Sequence, residues 1–470
     1  MTAETALHGL LDEEPAVVTA GVALFNDALR AQGVEVTEVE WRPPADGTAE
    51  ALAKAVGDRR RAEANETAVE RLTTARPHLV GIETARDALE GMTDRTFLHA
   101  GPPIEWADAS GPLRGALIGA MLYEELADDP DDAVRLAEQG EIELAPCHGF
   151  GAVGPMAGVV SPSMPMYVLH DEEHGVTARC TQNEGLGQVL RYGAYGTEVN
   201  ERLRWMQDVL APLTHQALQK HGPVDVRTLI VQALQMGDEG HNRNRAGTSL
   251  FVRELAGDLV ELDAPASQIA EVLRFINGND HFFLNLVMPA AKAAADAARD
   301  LPGSSMVVAM ARNCTEFGIQ VSGTGDEWFT APASIPDGLF LGEYGPDDAN
   351  PDIGDSTIAE TAGIGGFAMA AAPAIVRFVG GEVEQALAFT QQMYEIALSE
   401  HPAYQIPIFG FRGTPVGIDV TKVVRTGIVP AVNTGIAGKE PGTGQVGAGL
   451  VEPPMPCFVE AVKSLADRAD

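Results

Sequence analysis

Cysteine is scarce in this 470-residue chain, which holds only Cys147, Cys180, Cys314 and Cys457. None fall at C-x-x-C spacing, which argues against a zinc knuckle or a redox dithiol and points to a reduced, cytoplasmic compartment. Cations are scarce too: 32 Lys and Arg stand against 67 Asp and Glu, a formal net charge of -35. A surface of that sign repels phosphodiester backbones and anionic headgroups, so neither nucleic acid nor membrane is an expected partner. No uninterrupted apolar run is long enough to span a bilayer. The opening MTAETALHGLLDEEP lacks the basic segment and long apolar core of a signal peptide. There is no H-x-x-H pair or cysteine cluster, so no metal is expected. A P-loop and a dinucleotide fingerprint after the first strand are also missing, so no cofactor is expected.

What the chain does have is core material: 45% of residues are hydrophobic, and 50 Gly and 30 Pro punctuate apolar runs that recur throughout. The length predicts about two to four domains. PAVVTAG (15–21), ALFNDALRAQG (23–33) and VEVTEVEW (34–41) read as strand, helix and strand, one βαβ unit with a Rossmann-like start. With the helical stretches up to ALIGAMLYEEL (116–126), this gives an expected first domain over 1–140. Residues 197–299 carry helical spacing almost without break and read as a helical domain. Strand patterns return in SMVVAMARN (305–313) and TEFGIQVSG (315–323), a hairpin by pattern. Strands before 200 and after 300 are expected to share one discontinuous α+β core domain, 141–196 and 300–470. The expected fold class is therefore α/β and α+β, multidomain. It comprises a Rossmann-like N-terminal domain, an inserted all-helical domain and a mixed α/β C-terminal core.

Chemistry-bearing residues crowd into Gly-framed turns. GDEGHNRNRAG (237–247) puts Asp238, Glu239, His241, Asn242 and Arg243 ahead of a helix, whose free N–H groups attract anions. A capping and salt-bridge loop would use the same residue types. INGNDHFFLN (276–285) repeats the style with Asn279, Asp280 and His281, where capping is the plainer reading, and with Asn285 in an otherwise apolar helix. Arg312, Asn313 and Glu316 stand where the two strands meet, and the charge of Arg312 emerges from a run apolar on both faces. Cys314 lacks an assured basic partner and reads as inert. Gly363, Gly365 and Gly366 would let either a ligand or a neighbouring helix approach. GTGQVGAG (442–449) matches G-x-G-x-x-G, but no βαβ unit follows, so it reads as a tight loop. Arg412, Asp419, Asn433, Lys439 and Glu440 lie in the Gly-rich stretches before it, as surface charge or as an active-site wall. His148 in PCHGFG, and Asn183 and Glu184 in TQNEGLG, complete the set.

Long words in a fixed order carry a resemblance: QALQMGDEGHNRNRAGTSLF, INGNDHFFLNL, MARNCTEFGIQVSG, WFTAPA, ANPDIGDSTIAETAGIGGFAMAAAPAIVRFVGG, FRGTPVGIDV, NTGIAGKEPGTGQVGAG, and VEWRPP near the start. Together they resemble the YlbE/YahG-like family, long known only as a conserved domain of unknown function, over nearly the whole chain. One branch of that family is similar to the AllG-type subunit of oxamate carbamoyltransferase, an enzyme of allantoin (purine) catabolism. The resemblance implies a reaction in which oxalurate and phosphate give oxamate and carbamoyl phosphate. It also implies an FdrA-like partner, related to acyl-CoA synthetases, in a hetero-oligomer; a homo-oligomer is expected as well.

Carbamoyl transfer makes three physical demands. Phosphate must be neutralised, which suits Arg243, Arg312 or Arg412. The carbamoyl oxygen needs a donor as it gains charge, which suits His241 or Asn242. A proton must move at the nitrogen, for which Glu239 and Glu316 are the candidate bases. Asn313, Gly365, Gly366, Asn433, Lys439 and His148 are the further expected substrate contacts. The rival reading is a non-catalytic scaffold or regulatory subunit for the FdrA-like partner.

Overall fold

The hairpin anticipated around residue 314 forms the centre of a four-stranded antiparallel sheet. Val307–Asn313 pairs with Glu316–Val321, with Phe317 opposite Arg312 and Ile319 opposite Met310. Phe329–Pro332 and Ile353–Gly354 flank this pair. Every residue of Val307–Asn313 is buried, which is why it reads as an unbroken apolar run rather than an alternating one. The computed structural model describes residues 17–20, 23–38, 44, 45, 47–375 and 382–469. The ends of the expected first and second strands, VEWRPP up to residue 43, and 376–381 lie outside the described residues.

The opening βαβ unit forms: Val17–Thr19 and Val36–Glu38 run parallel, Val17 opposite Val36, with helix Ala23–Arg30 between them. It stops there, because these two strands make a sheet of their own. His78–Thr84 instead enters a second four-stranded antiparallel sheet with Pro165–Asp171, Val176–Thr181 and Val224–Asp225. Thr96–His99 pairs in parallel with Glu143–Pro146. Both pairings cross the expected boundary at residue 140, so the Rossmann-like reading shrinks to one short unit. Local periodicity identified the strands but carries no information on which sheet each joins.

The helices of 197–299 form where expected, among them Ala211–His221, Val226–Gln235, Arg245–Val260, Ala266–Asn277 and Leu284–Ala297. Their apolar stripes do not close on one another alone. Leu79, Tyr167 and Leu169 from the second sheet and Ile364, Ala368 and Tyr404 from after residue 300 share their core. Strands before 200 and after 300 fall into separate sheets, not one. Loops connect them: Asp355 accepts hydrogen bonds from the N–H groups of Gly101 at 2.7 Å and Gly154 at 2.9 Å. Asn313 Nδ2 donates to the carbonyl of Pro102 at 2.9 Å. The architecture is thus mixed α/β with several sheets and interleaved segments.

GTGQVGAG is a turn running into a strand. Gly442 and Gly444 adopt φ of +76° and +88°, and Gln445–Val451 then pairs with Val432–Ala437 on one side and Asp337–Phe340 on the other. All four cysteines are free and buried, and burial pushes each thiol above its ordinary value. No helix of the described residues is long and apolar enough to cross a membrane.

Candidate functional site

The turn between helices Val226–Gln235 and Arg245–Val260 is organised by its two acids. Glu239, fully buried, accepts from the backbone N–H of His241 (2.9 Å), Asn242 and Arg243 (3.0 Å), and from Asn433 Nδ2 (3.0 Å). Burial pushes its carboxyl up to about 7, and these donors pull the other way. Asp238 accepts from the N–H of Gly247 at 2.9 Å in the first turn of the following helix. Both carboxylates are occupied in building the turn.

The turn presents His241 to Glu360. Nδ1 of His241 lies 2.9 and 3.0 Å from the two carboxylate oxygens. Glu360, on the short helix Ile358–Thr361, is itself fixed by the N–H groups of Gly366 at 2.9 Å and Asn433 at 3.2 Å. A methyl group at Gly366 would sit 2.0 Å from the carbonyl oxygen of Ala431, so only glycine permits this approach. With Nδ1 held on the carboxylate, the tautomer is set and Nε2 is left without a hydrogen bond among the described residues.

His241 lines a small inner cavity of 20 Å³ together with Arg191, Asn242, His281 and Ser356. That volume is about one water. The cavity adjoins a larger cleft of 440 Å³, with Asn242, His281 and Gln445 common to both and Arg243 and Arg245 lining the cleft. Asn242 Nδ2 donates to Asn433 Oδ1 at 2.6 Å, and its carbonyl lies 3.0 Å from His281 Nε2. Burial lowers His281 to about 4, so its ring is neutral and Nε2–H donates to that carbonyl. Behind it runs a buried amide chain. Asn279 Nδ2 donates to Asn183 Oδ1 at 2.9 Å, Asn183 Nδ2 to Asn285 Oδ1 at 2.7 Å, and Asn285 Nδ2 to the carbonyl of Thr181 at 2.7 Å.

Arg191 is the residue that sequence reasoning missed. It follows the buried run Val189–Leu190 in a single 3-10 turn, Leu190–Tyr192, and is only 5% exposed. Glu184 fixes that turn by accepting from the N–H groups of Leu190 at 2.7 Å and Arg191 at 3.2 Å. The guanidinium spends Nε on the carbonyl of Gly185 at 3.0 Å, while Nη2 is buried with no partner. An unmatched guanidinium N–H beside a cavity is a donor waiting for an acceptor.

The model of the family described as oxamate carbamoyltransferase subunit AllG matches residues 142–356. The oxamate carbamoyltransferase subunit AllG of Escherichia coli (strain K12) is 46% identical over 409 residues, covering 86% of this chain and 98% of the relative. The chain belongs to the AllG family. The uncharacterized protein YahG of the same organism is 44% identical over 458 residues, 96% of this chain and 97% of the relative. A conserved protein of unknown function from Enterococcus faecalis V583, solved as a crystal structure, superposes with a TM-score of 0.86 at 47% identity. That match covers 87% of this chain and 98% of the other. The stretch matched by the AllG model contains Arg191, His241, Asn242, His281 and Ser356; Glu360 lies just beyond it and Asn433 well beyond.

Against the AllG-family fold, the residues expected from sequence divide into two groups. The 237–247 turn, Gly365, Gly366 and Asn433 do come together, around Glu239 and Glu360. The two glycines serve the protein's own carboxylate and backbone rather than a ligand, for a Cβ on Gly365 would meet Glu360 Oε1 at 2.2 Å. Arg243 stands at the cleft, its Nε on the carbonyl of Gly237 at 3.0 Å. Arg312 is a correction. It is fully buried, with Nε and Nη2 on the two oxygens of Asp352 at 2.6 and 3.0 Å. Its remaining N–H groups reach the Gly354 carbonyl, Ser356, Thr357 and Thr434, leaving nothing for substrate. Asn313 braces its own hairpin turn, accepting from Thr315 and Glu316 N–H. Glu316 takes a hydrogen bond from Thr330 at 2.9 Å and has no link to His241. Arg412 is exposed, paired with Glu400 and laid over Tyr394 at 3.6 Å. Lys439 is exposed, and His148 lies in a different cavity.

Proposed function

We propose that this chain acts as the AllG-type subunit of a carbamoyltransferase. It moves a carbamoyl group between phosphate and the amide or amine nitrogen of a small acid such as oxamate, with partner subunits completing the enzyme. The observation that carries the reading is His241, its Nδ1 fixed on Glu360 and its Nε2 free, lining one cavity with the unmatched guanidinium of Arg191. In the phosphorolytic direction a phosphate oxygen attacks the carbamoyl carbon of a ureido acid. The phosphate's own proton passes to His241 Nε2 as the carbon–oxygen bond forms, the carbon–nitrogen bond breaks, and the departing nitrogen takes that proton from Nε2. In the reverse direction Nε2 removes that proton from the attacking nitrogen. The Glu360 carboxylate stabilises the imidazolium formed between the two. Arg191 receives the anionic group, and Arg243 and Arg245 line its entry through an otherwise acidic surface.

The need for partners is supported by the relative's printed description as a subunit. It is supported as well by the apolar rim of the outer cleft, where Leu186, Leu339 and Leu341 are 53, 45 and 52% exposed. An FdrA-like partner seated on that rim would cover the site. The scaffold reading shares this rim but assigns no work to His241 or Arg191.

Arg191→Met separates the two readings. Loss of a charge-assisted hydrogen bond of about 1.5–3 kcal/mol raises KM for phosphate about 10- to 150-fold in the assembled enzyme. The melting temperature of the isolated chain falls only modestly, because removing the unmatched Nη2 donor offsets part of the loss of the Nε bond to Gly185 and of the contact with the Tyr192 ring. An unchanged KM would sink the anion role.

A further inference from the structure

A second cavity, of 300 Å³, is lined in part by His148, Gly149 and Gly151 and shares no lining residue with either cavity of the His241 site. Its floor is a buried charge cluster on and just after helix Leu284–Ala297. Lys292 Nζ and Arg299 Nε both bond to the same oxygen of Asp296, at 2.7 and 2.6 Å. Two cations thus share one carboxylate oxygen. The other acid near Arg299, Asp326, is 98% exposed and 3.4 Å away. Lys292 is fully enclosed, yet two of its three ammonium hydrogens have no partner among the described residues.

The opposite wall is His148, which stands edge-on to Trp328 at 5.6 Å between ring centres. Both ring nitrogens of His148 are buried without a hydrogen bond. The nearest acid, Asp355, lies 3.6 Å from Nε2, beyond hydrogen-bond reach, and both its oxygens are taken by Gly101 and Gly154 N–H. Burial holds His148 well below its ordinary value, so the ring is neutral and offers one N–H. Lys292 is lowered to about 8 by the same cause and stays mainly charged near neutral pH. Surplus donors on two walls of one hollow call for an acceptor-rich occupant.

We propose that this cavity is a second binding site, separate from the His241 cavity, for a small planar oxyanion: the carboxylate of a small acid, or bicarbonate. Lys292 Nζ and the His148 ring N–H grip the oxygens, Arg299 supplies the second positive charge, and Trp328 forms a flat wall. The proposal stands whether or not the His241 site performs carbamoyl transfer.

Titration calorimetry on the full chain at pH 7 tests it, with formate and bicarbonate as planar probes and inorganic phosphate as the tetrahedral control. Arg191→Met, which lacks the anion donor of the His241 cavity, is expected to bind one equivalent of a planar probe, more tightly than phosphate. The tighter of formate and bicarbonate identifies the source. Lys292→Met is expected to weaken binding at least tenfold. Because that change disturbs a buried ion cluster, Gly149→Leu provides a second arm. Gly149 lines the cavity and a Cβ there meets nothing within 4 Å, so the backbone accepts a side chain whose bulk is expected to fill the hollow. Undiminished binding in folded Gly149→Leu, loss of binding in Arg191→Met, phosphate bound by Arg191→Met as tightly as the planar probes, or no binding at millimolar probe would overturn the proposal.

Discussion

His241→Asn is expected to lower kcat of the assembled carbamoyltransferase about 10²- to 10⁴-fold, the usual worth of a positioned general acid–base. Asparagine is the informative replacement. Its Nδ2 falls where Nδ1 of the ring donates to Glu360, 2.9 Å away, so the buried carboxylate keeps a partner and the fold keeps its stability. What disappears is Nε2, the atom available to the cavity. KM for phosphate changes little, because Arg191, not His241, receives the anion. Glu360→Gln should fall between wild type and His241→Asn: an amide oxygen still accepts from Gly366 and Asn433, but the charge that favours an imidazolium is gone. Initial rates across pH 5–9, with partner subunits supplied, are the measurement. Full turnover in folded His241→Asn would leave the chain as a scaffold.

The second large effect is on stability. Arg312→Met should cost about 3–5 kcal/mol, because it leaves the carboxylate of Asp352 buried without its bidentate partner. It also frees the Gly354 carbonyl and the hydroxyl of Thr434, each of which now accepts from Arg312 at 2.7 and 2.9 Å. Pairing it with Asp352→Leu should restore part of the loss, since two apolar groups of fitting size replace a charge pair with less penalty than one orphaned charge. Urea unfolding of the single and double variants reads this directly. A single variant as stable as wild type would mean that the Arg312 network contributes nothing net.

Arg312 also shows where reading a sequence stops. MVVAMARN announces a charge leaving a buried strand, but the charge does not leave: Arg312 is a fully buried member of that strand. It does not announce that Asp352, forty residues on, will meet the guanidinium with matching geometry and consume it. Arg191 is the converse: one arginine in VLRYG carries no pattern, and only the unpartnered Nη2 in three dimensions marks it. The 237–247 turn was legible because seven polar side chains between two apolar helices need a common explanation. Part of that explanation proved structural, in Asp238 and Glu239, and part points at chemistry, in His241. Glu360 stands in a glycine-rich word, ETAGIGG, whose composition points to its glycines and gives no sign of the acid they accommodate. Helices and the central hairpin were readable from spacing. The sheet partners of His78–Thr84 and Thr96–His99 were not, because pairing with strands as far off as Pro165–Asp171 and Glu143–Pro146 leaves no local trace.

The placement of the four sulfurs has a practical corollary. Cys147, Cys180, Cys314 and Cys457 sit in four different hydrophobic clusters. Only a thiolate attacks an alkylating reagent, and each thiol is shielded and kept protonated by its surroundings. Modification therefore waits on local opening of the cluster that encloses each sulfur. The native chain carries four internal stopwatches, and the order in which they trip ranks its regions by how readily each one breathes.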